Sequence, residues 1–163
     1  MKAATVSQLK QELSTRSPAE LLEFCLSLSK FKKENKELLT YLLYEASNEA
    51  AYIANVKREI DEQFELINTK TYYYIKKSVR KILRIVKKYI RYSKKKETEV
   101  ELLIYFCSKM KIMKPSMENN VALHNIYKRQ IESIKKTISG LHEDLKYDYE
   151  MELEELGDSW FVK

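Results

Sequence analysis

Between Lys70 and Lys96 the chain carries twelve Lys or Arg residues and no carboxylate. A segment this charged can join a folded core only if the apolar residues threaded through it all turn one way. On a helix they do. With Lys76 at 0° and about 100° per residue, Lys76, Lys77, Arg80, Lys81, Arg84, Lys87, Lys88 and Arg91 fall between about 0° and 140°. Ile75, Val79, Ile82, Leu83, Val86, Tyr89 and Ile90 fall between about 220° and 340°. The pattern predicts a long helix with its apolar face on a core and its cationic face toward water or a partner.

The arginines are ordered within that arc. Arg80, Arg84 and Arg91 lie near 40°, 80° and 60°, and Tyr73, at about 60°, extends their row toward the N-terminus. Arginine offers a planar donor fork that grips a phosphate or carboxylate at two points. A row of forks flanked by lysines suits a polyanion better than a small ligand. The arrangement costs the isolated helix something. Lys76/Arg80, Lys77/Lys81, Arg80/Arg84, Arg84/Lys88 and Lys87/Arg91 are like-charge i,i+4 pairs, each unfavourable by roughly 0.2–0.5 kcal/mol.

Four kinds of anion would offset that cost. The whole chain is +6 at neutral pH, and its C-terminal part is strongly acidic, with eight acids against two lysines over residues 141–163. The acidic helix expected over 141–156 is therefore one partner, in the same chain or in a second copy as a homo-oligomer. An acidic protein surface is another. DNA or RNA is a third, bound through phosphates with Tyr73, Tyr74 or Tyr92 near enough to stack. An anionic membrane surface fits least, since the apolar face is rich in β-branched residues and the basic helix carries no Trp or Phe.

Two Gly and two Pro in 163 residues leave little material for hairpins or glycine-rich loops. Long helices with short connections follow. A first short helix is expected over Thr5–Leu13. Ser17-Pro18-Ala19-Glu20 then has the form of a capping box with proline in the first turn. It opens an apolar helix running to about Lys30. Leu38, Leu39, Leu42, Leu43 and Ala46 predict a helix over about 34–46. Ile53, Val56, Ile60, Phe64 and Ile67 step by 3, 4, 4 and 3, a clean amphipathic stripe. Asn68-Thr69 closes it and is placed to cap the basic helix. Val100 and Leu102–Cys107 form the most apolar part of the chain and predict a central helix. A long helix from about Asn120 ends or bends at Gly140. The expected fold is all-α: seven or eight helices in antiparallel hairpins, as an α-superhelical (HEAT-like) array or an irregular bundle. A single domain over 1–163 is expected, with Lys114-Pro115-Ser116 marking a boundary near 114–118.

Leu9-Lys10-Gln11-Glu12-Leu13, a turn, and Glu20-Leu21-Leu22 loosely resemble the SAP DNA-binding helix pair over about twenty residues. Ser17-Pro18-Ala19 stand where that pattern has Gly and Lys, so nothing is carried over from it.

Catalytic signatures are absent. Cys25 and Cys107 are too few for a disulfide framework and read as buried thiols in a reducing cytosol. His124 and His142 belong to no metal-ligand array, and the two glycines stand alone, so no metal, cofactor or phosphate loop is expected. The N-terminus lacks a signal-peptide core, and no apolar run is long enough to span a bilayer, so membrane insertion is not expected. The residues point to a cytoplasmic, non-enzymatic helical interaction domain. It would bind an acidic protein partner or self-associate through the basic helix, with low-specificity nucleic-acid binding along 76–91 as the alternative.

Overall fold

The computed structural model describes residues 1–157, and these form eight α-helices with no strand among them. The helices are α1 (Val6–Ser14), α2 (Pro18–Phe31), α3 (Lys33–Thr40), α4 (Glu49–Glu65), α5 (Tyr72–Ser93), α6 (Lys96–Ile112), α7 (Val121–Ser139) and α8 (Glu143–Gly157). A π-helical turn, Tyr41–Glu45, follows α3, and a 3-10 turn, Met117–Asn119, precedes α7. The chain gathers into two compact units, residues 1–44 and residues 45 onward. The 114–118 segment lies inside the second unit. Asp158, Trp160 and Phe161 lie outside the described residues.

In the first unit both early helices start as their sequences dictate. Thr5 caps α1 and Ser17 caps α2, each in a full capping box with the residue three positions on, Gln8 and Glu20. The Ser17 N–H donates to Glu20 Oε2 at 2.9 Å. Glu20 is held below its ordinary pKa, chiefly by that backbone N–H, then by the Ser17 hydroxyl, with Arg16 nearby adding to it. The helix expected over 34–46 is split. It is α-helical to Thr40 and then widens into the π turn, so the stripe goes out of register. Tyr41 is buried while Leu42 and Leu43 are exposed. Cys25, expected to be buried, is exposed on α2. Along that helix only Ser29 is buried, with Glu20 and Leu21 half-buried, so its apolar residues are left exposed as a group.

The second unit is built around α6, which packs against α4, α5, α7 and α8. Val100, Leu102, Phe106, Cys107 and Met110 are wholly buried on it. With neighbours on every side it shows almost no amphipathic periodicity, as a core helix should. Burial pushes the Cys107 thiol up to about 12, so it stays protonated and inert at neutral pH. The stripe read on α4 meets this core: Ile53, Val56 and Ile60 are buried, and Phe64 packs on Phe106 with ring centroids 5.8 Å apart.

Polar clips fix the helices laterally. Glu49, at the start of α4, accepts hydrogen bonds from the Ser93 and Thr98 hydroxyls and pairs with the Lys95 ammonium at 3.3 Å. That one carboxylate ties α4 to the α5–α6 turn, where Lys94 takes a left-handed conformation (φ 59°). Farther along, the Tyr105 hydroxyl donates to both Asp61 oxygens at 2.8 Å, and Lys109 reaches Asp61 Oδ1 at 2.7 Å. Lys57 and Lys109 each lie 5.2 Å from the Tyr105 ring centroid, and Lys57 also pairs with Glu101 at 2.6 Å.

This seam makes stability pH-dependent. Burial raises the Asp61 pKa, but the hydrogen bonds from Lys109 and Tyr105 outweigh it and leave the carboxyl below its ordinary value. Lys109 is raised, mainly by its hydrogen bond to Asp61. A depressed carboxyl stabilises the fold above its unfolded pKa and loses that contribution as pH falls through the folded value. A raised lysine contributes below its unfolded pKa and loses the contribution as pH rises through the folded one. The seam therefore holds across neutral pH and fails at both extremes. In urea unfolding, Asp61→Asn is expected to be less stable than wild type at about pH 7, and the gap should close near pH 2.5.

Candidate polyanion-binding face

The position of α5 follows from its apolar side. Ile75, Val79, Ile82 and Val86 are 0%, 0%, 1% and 0% exposed, so the helix is pressed against the core along most of its length. Thr71, rather than Asn68 or Thr69, caps it, its hydroxyl accepting from the Tyr74 N–H at 3.4 Å. At the C-terminal half, the Tyr52 hydroxyl donates to the Tyr89 carbonyl (2.9 Å), and the Tyr89 hydroxyl donates to Glu59 Oε2 (2.7 Å). With cap and seam in place, α5 is fixed in rotation, and its other face has to look outward.

Lys77, Arg80, Lys81, Arg84, Lys87 and Arg91 are exposed on that face, and Lys76 and Lys88 are half-buried at its edges. Lys88 lies 5.0 Å from the Tyr89 ring centroid. Among the described residues, no carboxylate lies within ion-pair distance of Arg80, Arg84 or Arg91. Tyr73 and Tyr74 are 65% and 44% exposed, and their rings meet edge-on, centroids 5.4 Å apart. Tyr72 turns inward, its hydroxyl donating to the Ser116 carbonyl at 2.9 Å. Tyr92 is buried against Tyr89, centroids 6.0 Å apart, which removes it from the stacking residues expected from sequence.

The acidic helix sits elsewhere. α8 packs on α6 and α7, with Leu153 and Leu156 buried. The Lys111 ammonium donates to the Leu156 carbonyl at 2.7 Å, and the Tyr127 hydroxyl reaches the same oxygen at 3.4 Å. Among the described residues, therefore, no acid of α8 forms an ion pair with the arginine row of its own chain. Its acids gather with others instead. Partial desolvation on one side of an otherwise exposed Glu152, and then the Glu101 carboxylate, raise its pKa, with Lys57 pulling the other way. Burial also raises Tyr149, helped by Glu101, Glu152 and Glu97. The part that Glu97 and Glu101 of α6 take in an anionic face with α8 depends on how α8 docks, which no local pattern encodes.

Little else in the second unit resembles a site. A cavity of about 290 Å³ opens where α4 and α6 end, walled by Phe64, Ile67, Ile112 and Met113. Asp61 and Lys109 line it too, but each is engaged by the other. Among the described residues, no three His, Cys, Asp or Glu side chains gather as a metal site requires, and no helix is long and apolar enough to cross a membrane. Comparison with known proteins returns no matching family model, curated protein or solved structure.

Proposed function

We propose that this chain is a non-enzymatic helical interaction module that binds a polyanion through the cationic face of α5. One observation carries the reading: the row Arg80–Arg84–Arg91 is exposed and has no carboxylate partner among the described residues. Five like-charge i,i+4 pairs are a standing cost to the helix, and an external anion offsets it. Because the row is continuous and flanked by lysines, it meets a charged polymer as a line of contacts. It reads backbone charge rather than base edges or side-chain identity.

A second reading has its own support. Glu143, Asp144, Asp148, Glu150, Glu152, Glu154 and Glu155 are all exposed, and α8 is docked away from the basic row. The acidic face of one copy is thus free to meet α5 of another, giving a salt-sensitive homo-oligomer.

Retention on an immobilised sulfated polysaccharide, together with molecular mass in solution, tests both at low and high salt. The first reading expects strong retention near 0.05 M salt that is lost well below 1 M, where the Debye length shrinks to about 3 Å. No retention at low salt would overturn it. The second expects a mass above that of the monomer at low salt that falls to the monomer value at high salt.

A further inference from the structure

We infer that the polymer taken by α5 is single-stranded nucleic acid, with the arginine row on its phosphates and the Tyr73–Tyr74 pair stacked against unpaired bases. This rests on the polyanion reading above and narrows it to one ligand class.

The three consecutive tyrosines are the starting point. On a helix they point about 100° apart, so they cannot share one environment. Tyr72 goes to the core side and finds the Ser116 carbonyl. Tyr73 and Tyr74 go outward, and among the described residues neither hydroxyl has a hydrogen-bond partner. Their rings touch each other edge-on, and each keeps a large exposed surface, Tyr73 more than Tyr74. They therefore supply a wedge of aromatic surface at the start of α5 that the fold does not use. The Thr71 cap orders the first turn that carries them.

Its position is what ties it to the row. Tyr73 shares the azimuth of Arg80, Arg84 and Arg91, and Lys76 and Lys77 stand one turn further on. From Tyr73 to Arg91 the helix rises ~27 Å at 1.5 Å per residue. At about 3.4 Å per stacked nucleotide, that length matches roughly eight nucleotides of one strand. Phosphates along the row and bases at its aromatic end are the two contacts that sequence-tolerant single-strand binders combine.

Two rival ligands fit less well. An acidic peptide satisfies the arginines but has no planar group for which two exposed rings are needed. A duplex satisfies them too, but its bases are already stacked and present no face to Tyr73 or Tyr74. Entry of α5 into a major groove about 12 Å wide would also require a helix that stands clear of its neighbours. α5 does not: α4 and α6 pack on it, and the Tyr89–Glu59 hydrogen bond sets a carboxylate beside its C-terminal half. What remains accessible is a shallow arc, suited to a flexible strand laid along it.

The test uses the full chain and three labelled probes: an oligothymidylate of about twelve nucleotides, within the usual site size, a duplex of the same length, and polyglutamate of equal charge. The variants are Tyr73→Ala/Tyr74→Ala, Tyr73→Phe/Tyr74→Phe, and Arg80→Glu/Arg84→Glu/Arg91→Glu, with circular dichroism confirming that each is folded. Wild type is expected to bind the oligothymidylate about tenfold or more tighter than either other probe. The double Ala variant should lose on the order of tenfold or more for that probe alone, since it removes both rings on which bases stack. The double Phe variant, which keeps the rings, should retain binding. If the double Ala variant binds oligothymidylate within about twofold of wild type while the Arg variant loses it, the polyanion reading stands and the single-strand inference falls. Tighter binding of duplex or polyglutamate overturns the inference in favour of that class. If the Arg variant binds all three probes like wild type, both the inference and the reading beneath it fail.

Discussion

Reversing Arg80, Arg84 and Arg91 to Glu is expected to reduce polyanion affinity by a hundredfold or more at about 0.1 M salt, without weakening the fold. The binding loss follows from replacing three central cations with three anions in an arc of eight bases. The stability result follows from the helix itself. Lys76/Arg80, Arg84/Lys88 and Lys87/Arg91 change from repulsions of ~0.2–0.5 kcal/mol into attractions of similar size. Arg80/Arg84 remains a like-charge pair and Lys77/Lys81 is untouched. None of the three arginines packs in the core. Thermal unfolding should therefore be unchanged or shifted slightly upward, so lost binding cannot be blamed on unfolding. A milder Arg→Gln triple variant separates charge number from charge sign. Contact with six to eight phosphates predicts a slope of log K against log [salt] on the order of −4 to −7, and removing three contacts should shrink its magnitude by about 2–3. A triple reversal that binds like wild type would show that the row is only a solvated surface.

The largest stability loss is expected from Phe106→Ala. Phe106 is wholly buried on the helix that touches four others, and Phe64 packs against its ring. Truncation removes the transfer energy of the ring and leaves a cavity that rigid neighbours cannot fully close. A loss of about 3–5 kcal/mol follows, a large share of the 5–15 kcal/mol typical of a domain. Urea unfolding followed by circular dichroism should show the midpoint fall by on the order of 1–3 M. Leu42→Ala and Leu43→Ala serve as the contrast. Both belong to the helical spacing that predicts a helix over about 34–46, yet both are exposed, and each should cost no more than about 0.5 kcal/mol. A small effect at Phe106 would mean that α6 is not the centre of the second unit.

The contrast between Phe106 and Leu42 shows what the sequence conveys. Where a helix has one buried face, as α4 and α5 do, periodicity alone names the inner residues: Ile53, Val56, Ile60, Ile75, Val79, Ile82 and Val86 are all buried. The outward face of α5 is the complement of that set, so its cationic arc is equally legible. The capping box at Ser17 is a local hydrogen-bond pattern and was readable for the same reason, while the matching box at Thr5 went unread. Features that depend on distant packing were not. Cys25 lies on the apolar side of α2, away from Glu20, Glu23, Ser27 and Lys30, yet that side is exposed: an apolar face does not say whether anything covers it. The π turn at Tyr41–Glu45 is a change in backbone hydrogen bonding that leaves no trace in apolar spacing. Tyr92 sits at about 160° on the wheel, at the cationic margin, yet it is buried beside Tyr89. The docking of α8 depends on Leu153 and Leu156 finding α6 and α7, and charge matching alone pointed to α5 instead.

That docking bears on how the proposed ligand would arrive. By settling on α6 and α7, α8 leaves the second unit with positive charge on one face and, with Glu97 and Glu101, negative charge on another. Such a unit has a permanent electrical polarity. An approaching polyanion is repelled from one face and drawn to the other, so encounters are oriented before contact is made. For the polyanion binding proposed above, the expected gain is in the association rate, which should fall steeply as salt is added, while the dissociation rate should report the short-range contacts proposed for the arginine forks and the tyrosine rings.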